Sequence, residues 1–462
     1  MFKFKKVQYV PMISAVIMIM TLISTVPVFA NAITYKAKTV LPAVETTNSH
    51  HAGDTADDTC IWINPMDKKQ SLILGDDKYG GLCVWNLDGT ENQYLDEGTY
   101  LNNLDIRYNF QYGNQVIALI GAVNETDHRL NFYKVNPVTR VVKNIGSIEL
   151  TMENPYGGCM YHNQDSDKFY FFVNWKDGTV QQWELDGTSG AISGNLVRTF
   201  YVGSQVEGCV ADDQLGDFYI GEEEAGLWKY NAEPNGKDER VLVDSVEEGN
   251  ITADVEGVTL YYGDDEEGYV ICSSQGNSTF QVYDRKSNEY IDSFTIGATD
   301  TIDETTETDG CDVSNVDLGG LFSKGVFLAH DHSNDDTEYS NIKLVQWKEI
   351  AKKLKLTTKS HYNPVKGNNH SPDLKDIDDV KANAEELISF TIEAKDKDNN
   401  KLDYYALNLP DGAVFDQSTQ QFIWTPASTQ AGVYKLKFVA TDGYDIDTKN
   451  VQIKVEASDN YQ

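Results

Sequence analysis

Six short segments recur along the chain: DDTCIW from Asp57, NNLDIR from Asn102, YGGCMY from Tyr156, VEGCVA from Val206, VEGVTL from Val255 and TDGCDV from Thr308. Their equivalent positions are Asp58, Asn103, Gly157, Glu207, Glu256 and Asp309, and all but Gly157 carry a side-chain oxygen. Further acids flank them (Asp54, Asp57, Asp105, Asp254, Glu307) or close the apolar runs that follow (Asp76, Asp77, Glu222, Glu223, Glu224, Asp331). Carboxylates gathered in such number repel one another, and burial raises their pKa values, unless hard cations neutralise them. Calcium suits an all-oxygen donor set because it takes about six to eight oxygens in a flexible shell, whereas zinc calls for His or Cys and magnesium for a tighter octahedron. Capping of a strand turn accounts for one acid and poorly for a ring of them. A calcium cluster in turn suits an anionic, oxygen-rich substrate, with phosphate esters the leading case, since the metal offsets transition-state charge and activates water for in-line attack. Lys78 and Lys176 are the candidates for fixing further phosphate oxygens.

The spacings between those six positions are 45, 54, 50, 49 and 53 residues, and each unit repeats the same order of strand-like runs. A β-rich run such as SLILGDD, KFYFFVN or GYVICSS comes second, and a third ends near an aromatic, as in GGLCVWNL or GTVQQWEL. Runs such as LVRTFYVG make a fourth. Alternating, β-branched and aromatic runs divided by Gly, Asn and Asp turns are strand and hairpin signals, and no long stretch carries a helical period. Four strands per unit of about fifty residues is the arithmetic of a propeller, which places the six equivalent positions in a ring about its axis. The fold class read here is therefore all-β: a six-bladed β-propeller over residues 33–355, a polar linker over 356–371, and a small Ig-like β-sandwich over 372–457. The sixth unit lacks a fourth strand of its own, and TVLPAVETT (39–47) is expected to supply it from the N-terminal side.

With 72 Asp+Glu against 38 Lys+Arg, the net charge is -34, which opposes nucleic acid and anionic membranes alike. The 40% hydrophobic content is nevertheless that of a folded chain. MFKFKK, the apolar stretch from Val10 to Val28 and the VFA ending at Ala30 read as a signal peptide over residues 1–30, with a retained anchor the alternative. The expected product is a secreted, extracellular monomer with no stable membrane insertion after cleavage. Six cysteines show no CxxC spacing and read as small buried hydrophobes. Cys159 with Cys209, and Cys60 with Cys311, are the pairs to test for bridges. His50, His51, His330 and His332 lack further ligands at metal spacing and read as surface histidines without a catalytic role.

DTADDTCIW, LNNLDIRY, DDKYGGLCVWNLDG, PYGGCMYH, VEGCVADDQLGDFYIGEEEAGLWKY, ADVEGVTLYY, SSQGNSTFQVYDR and TETDGCDV resemble, in order, the secreted β-propeller phytases of bacilli. DDTCIW and NNLD stand where that family reads DDPAIW and NNVD. The resemblance implies a calcium-dependent phosphatase acting on phytate (inositol hexakisphosphate) or related inositol phosphates, taken as calcium complexes. Several Ca2+ ions would sit at one end of the central channel, with a cleavage site beside an affinity site for a neighbouring phosphate. On the matching motifs, Asp58, Glu207, Glu223, Asp254, Glu256, Asp303 and Asp309, with Asp57 beside them, are the implied metal positions. Lys78, Tyr156 and Lys176 are the implied phosphate contacts, and Asn102 belongs to a second phosphate position. Glu207, Glu223, Asp309, Lys78, Lys176 and Tyr156 form the implied catalytic set, in which metal-held water attacks phosphorus and no side chain is a covalent nucleophile.

The chain departs from that family at Glu125, where an arginine normally follows the Asn; Arg129 is the nearby candidate to replace it. Thr59 and Cys60 replace a proline and an alanine, and Tyr79 stands where a second lysine is usual. Because Glu125 exchanges a phosphate clamp for a carboxylate, two alternatives stay open. One is a calcium-stabilised, non-catalytic binding propeller; the other is a phosphatase or phosphodiesterase for another phosphorylated ligand. The C-terminal segment resembles the Ig or cadherin-like domains appended to bacterial exported enzymes, and is expected to act as a spacer or to contact a cell surface or carbohydrate.

Overall fold

The computed structural model describes residues 36–53, 55–334, 337–358, 370–397, 400–442 and 445–457. The signal segment, Asp54 and most of the 356–371 linker lie outside them. Six sheets follow one another along the chain. Blade one is Thr59–Trp62, Leu72–Asp77, Gly81–Asn86 and Glu91–Asp96, each strand antiparallel to the last. Blades two to five repeat the pattern from Leu101–Tyr112, Gly158–Asn163, Val206–Asp212 and Val255–Tyr262. Blade six holds Cys311–Ser314, Val326–Asp331 and Asn341–Gln346, and its outer strand is Val44–Glu45, paired Val44 to Leu344 and Glu45 to Lys343. The N-terminal strand thus closes the ring as expected. A second N-terminal strand was not anticipated: Lys38–Val40 runs parallel to Tyr290–Ile296 as a fifth strand of blade five.

The core is divided among the blades. Strand alternation sends successive side chains to opposite faces, so Cys60 and Trp62 pack towards blade two while Ile61 and Ile63 pack towards blade six. The same division makes six apolar layers, one at each contact between neighbouring blades. Burial on both faces explains the dense Val, Ile, Leu and Phe runs of the second strands. All six cysteines are buried free thiols. Cys159 and Cys209 share the layer between blades three and four, but Cys60 and Cys311 lie in different layers.

At the axis the first strands approach one another so closely that side chains are excluded. A Cβ on Gly208 would lie 2.4 Å from Glu256 O, one on Gly257 2.5 Å from Asp309 O, and one on Gly310 2.3 Å from Asp58 Oδ1. Each contact joins one blade to the next, and the last returns to blade one. Gly157 obeys the same limit: its Cβ would meet Glu207 O at 2.3 Å and Asn103 Oδ1 at 2.7 Å. Space therefore accounts for the missing oxygen in blade three.

A short helix, α1 (Trp347–Leu354), follows the last blade, where no helical period was legible. It buries Trp347, Ile350, Ala351 and Leu354 against the layer between blades five and six, and the Trp347 ring stacks on Tyr261 at 4.1 Å. Beyond it, Val380–Asn383, Ile446–Glu456, Gly432–Thr441 and Asp403–Leu407 form one sheet, and Ile388–Thr391, Gln421–Trp424 and Val414–Asp416 another. Phe422, Trp424, Phe438 and Ile453 fill their common core.

Because Trp347 is wholly buried, Trp347→Ala is expected to cost about 3–5 kcal/mol in chemical denaturation. A loss below about 1 kcal/mol, the scale of ordinary substitutions, would show α1 to be dispensable.

Candidate active site

Glu207, Glu223 and Glu256 are buried, and each presents a carboxylate oxygen within 4.8 Å of those of the other two. Glu207 and Glu256 hold the same position in blades four and five, at the start of their first strands. Glu223 directly follows the second strand of blade four, Asp217–Glu222. Its neighbour Glu222 accepts hydrogen bonds from Ser204 Oγ at 2.7 Å and Trp228 Nε1 at 2.8 Å. Alternation along the chain then carries Glu223 to the opposite side, beside Glu207 and Glu256.

Lys78 is buried against the same group, with Nζ 2.6 Å from Asp57 Oδ1 and 3.9 Å from Asp309 Oδ2. One ammonium thus faces acids from blade one and blade six. The Asp58 N–H donates to Asp76 Oδ1 at 2.7 Å, tying the first strand of blade one to the end of its second. Four amide side chains steady the acids: Asn102 Nδ2 donates to Glu207 Oε1 at 2.9 Å, Asn103 bonds Asp58, Gln205 bonds Glu223, and Gln275 Nε2 donates to Asp309 Oδ1. Gln205 and Gln275 escaped the sequence reading. A signal existed for Gln275, since it directly follows the second strand of blade five, the position that Lys78 holds in blade one and Glu223 in blade four.

Burial is the main cause that pushes the Glu207, Glu256, Asp58 and Asp76 carboxyls well above their ordinary range. Neighbouring acids add to it: Asp57 for Glu207, Asp58 and Asp76, and Glu207, Asp309 and Glu223 for Glu256. Lys78 and the Tyr156 hydroxyl pull Glu207 back. Glu223 is raised by burial and by Asp254, against Gln205 and Lys176. Asp76 Oδ2, Asn102 Oδ1 and Glu223 Oε1 are buried and accept no hydrogen bond from the described residues. Oxygen donors that lack partners and resist ionisation suit a hard divalent cation, so the residues fit a metal.

The acids Asp57, Asp58, Glu207, Glu223, Glu256 and Asp309 therefore join Lys78 in one connected group, with Asp254 electrostatically coupled to Glu223. On blade three, Lys176 is exposed with Nζ 3.9 Å above the Tyr156 ring, and the Tyr156 hydroxyl bonds Glu207. Asn102 is wholly buried, and its amide donates to Tyr156 O at 3.2 Å as well as to Glu207, so it orients Glu207 and the Tyr156 backbone. Asp303 stands apart on the buried ammonium of Lys343. Arg129 stands opposite Asn124 across the hairpin, and its exposed guanidinium donates to Ser147 Oγ at 3.3 Å. The Glu125 N–H donates to Tyr100 O at 3.0 Å, and its charge acts on the Tyr100 phenol together with those of Lys78 and Asp57. His330 is not at the surface. It is wholly buried, its Nδ1 accepting the Asp309 N–H at 3.2 Å beneath the acidic group.

Residues 9–369 match the Phytase family, and residues 371–456 match the family described as Putative Ig domain. The 3-phytase of Bacillus subtilis (strain 168) is 36% identical over 312 residues, which span 65% of this chain and 81% of that protein. Among solved structures, BBS1N in complex with ARL6DN aligns with 67% of this chain and 98% of its own at a TM-score of 0.38 and 11% identity, too weak a likeness to carry an argument. The family match over most of the chain, on a ring of four-stranded sheets that gathers acids beside Lys78, leads to one conclusion: the chain belongs to the Phytase family and is a phosphatase of phytate.

Proposed function

We propose that this phosphatase is calcium-dependent and that the buried acids at the blade starts are its metal site. The observation that carries the reading is the Glu207, Glu223 and Glu256 cluster, whose only donors are oxygens and whose charge Lys78 alone cannot balance. Bound there, calcium supplies positive charge against phosphoryl oxygens and lowers the pKa of the water that attacks phosphorus.

The protein's own groups do the rest. Lys176, exposed above Tyr156, and Lys78, between Asp57 and Asp309, offer ammonium donors to phosphate on two sides of the acids. Burial, with Glu207 beside it, pushes the Tyr156 hydroxyl far above its ordinary pKa. It therefore stays protonated and serves as a donor, never as a base. Asn102, Asn103, Gln205 and Gln275 hold one side of each carboxylate so that the geometry is set before substrate arrives. Glu125 lies at the rim of Lys78 through Tyr100 and opposes a phosphate at that side. The basic and apolar start of the chain supports export, and among the described residues no helix is long and apolar enough to cross a membrane.

Phosphate release from phytate, measured with calcium and then with excess EGTA, tests the reading directly. Activity and melting temperature are expected to fall together, because an ion that binds only the folded state also stabilises it. Full activity in EGTA would sink the proposal.

Proton linkage offers a second check. The metal takes the ionised carboxylates, whose pKa values burial has raised, so calcium binding must release protons and tighten as pH rises. In EGTA the same carboxyls contribute stability only while protonated. That contribution is complete below about pH 4, the unfolded carboxylate range, and is lost as pH rises through their elevated folded values. Calorimetric titrations in buffers of different ionisation enthalpy should register the release; binding without it, at constant affinity from acid to neutral pH, would contradict the site.

Glu125→Arg replaces a repulsive charge by a bidentate donor, and should lower KM for phytate by about tenfold, the scale of one charge-assisted contact, with calcium affinity unchanged. An unchanged KM would place Glu125 away from the substrate.

A further inference from the structure

Lys78 has an aromatic border on one side. Tyr79 follows it directly, in the turn after the second strand of blade one, and is 56% exposed. The Tyr79 ring meets Tyr100 edge-on at 5.7 Å and His51 at 6.4 Å. These rings arrive from three places: the turn of blade one, the residue before the first strand of blade two, and the segment after the N-terminal strand. Each is anchored. Asp77, wholly buried, accepts the Tyr79 N–H at 3.3 Å and lies 3.0 Å from His51 Nδ1. The Tyr100 N–H donates to Thr126 Oγ1 at 2.9 Å, and the Tyr100 carbonyl accepts the Glu125 N–H at 3.0 Å. The charges that act on the half-buried Tyr100 phenol are those of Lys78, Asp57, Glu125 and Asp76, so its hydroxyl faces the edge of the acidic group. Neither phenol hydroxyl has a hydrogen-bond partner among the described residues.

A second phosphate placed against this border would meet the Glu125 carboxylate, while Lys78 already shares its charge with Asp57 and Asp309. Like charges set against each other in this way select against a ligand. A free hydroxyl fits the border instead. Phenol oxygens donate and accept, a carboxylate accepts, and one hydroxyl can answer both. The tyrosine rings add apolar surface for the C–H groups of a cyclitol. We propose that Tyr79 and Tyr100 are specificity-determining residues that receive a free hydroxyl of the inositol ring, beside the phosphate held at Lys78. The preferred substrate is then an inositol phosphate whose scissile phosphate has a hydroxyl neighbour, and another phosphomonoester hydrolysis must first expose that hydroxyl. This inference rests on the reading of Lys78 as a phosphate contact given above.

Two probes separate hydroxyl from phosphate at that place. In phytate every phosphate has only phosphate neighbours, whereas in an inositol bisphosphate with its phosphates on adjacent carbons each has one hydroxyl neighbour. At one free calcium concentration, kcat/KM should be higher for the bisphosphate by about fivefold, the scale of one hydrogen bond. A higher value for phytate would overturn the inference. Tyr100→Phe keeps the ring and loses the hydroxyl. It should raise KM for the bisphosphate about fivefold and leave KM for phytate unchanged; an equal rise for both would give Tyr100 a structural role only and count against the inference. Tyr79→Lys alters an exposed position and adds a phosphate donor, so it should move the preference towards phytate by about tenfold. An unmoved ratio would place Tyr79 beyond the reach of substrate. Each of these readouts is a ratio between two substrates in the same buffer, so it stands or falls separately from calcium dependence, which EGTA tests with either substrate.

Discussion

Like charges crowd together at the axis because six sheets close upon themselves, and the rest of the site follows from that compression. The first strands approach until only glycine fits at Gly157, Gly208, Gly257 and Gly310. Acids that begin those strands have nowhere to retreat to, and burial strips them of the water that would screen their repulsion. Such a group holds together when protons or positive charge join it. The repulsion is therefore built into the backbone and does not depend on any single carboxylate.

Ammonium groups lie among these acids. At the seam between the propeller's ends, Lys343 meets Glu45, Asp303 and Asp331. Around Glu207, Lys78 meets Asp57 while Lys176 acts on Glu223. Amide side chains complete the second arrangement, since each binds an acid without neutralising it, as Asn102 does for Glu207 and Gln275 for Asp309.

The blade layers explain why such a centre can be tolerated. Each contact between neighbouring blades carries its own apolar cluster, so the stability of the ring is spread around the circumference, away from the charged axis. The helix α1 and the parallel strand Lys38–Val40 thicken one of those layers beside the closing seam. Free cysteines occupy the same layers as small apolar side chains, which accounts for their recurrence at one position of the repeat.

A fifty-residue period, four strand-like runs per unit and acids recurring at one phase are properties of neighbouring residues, and they determined by themselves that the chain makes six blades with an acidic ring. The need of blade six for a strand from the N-terminal side followed from the same count. The partners of each side chain were decided only in three dimensions. Nothing near Asn102 in the chain shows that its amide turns to Glu207, and nothing near His330 shows that it lies under Asp309. Nor does the chain near Arg129 show that, standing opposite Asn124, it donates to Ser147 on the next strand. Lys343 drew no reading from the sequence, and only ring closure sets Glu45 opposite it. The physical reason is common to all of them: composition and period report which face of a strand a residue occupies, whereas charge pairing depends on distances between segments far apart in sequence, and those distances exist only once the ring has closed.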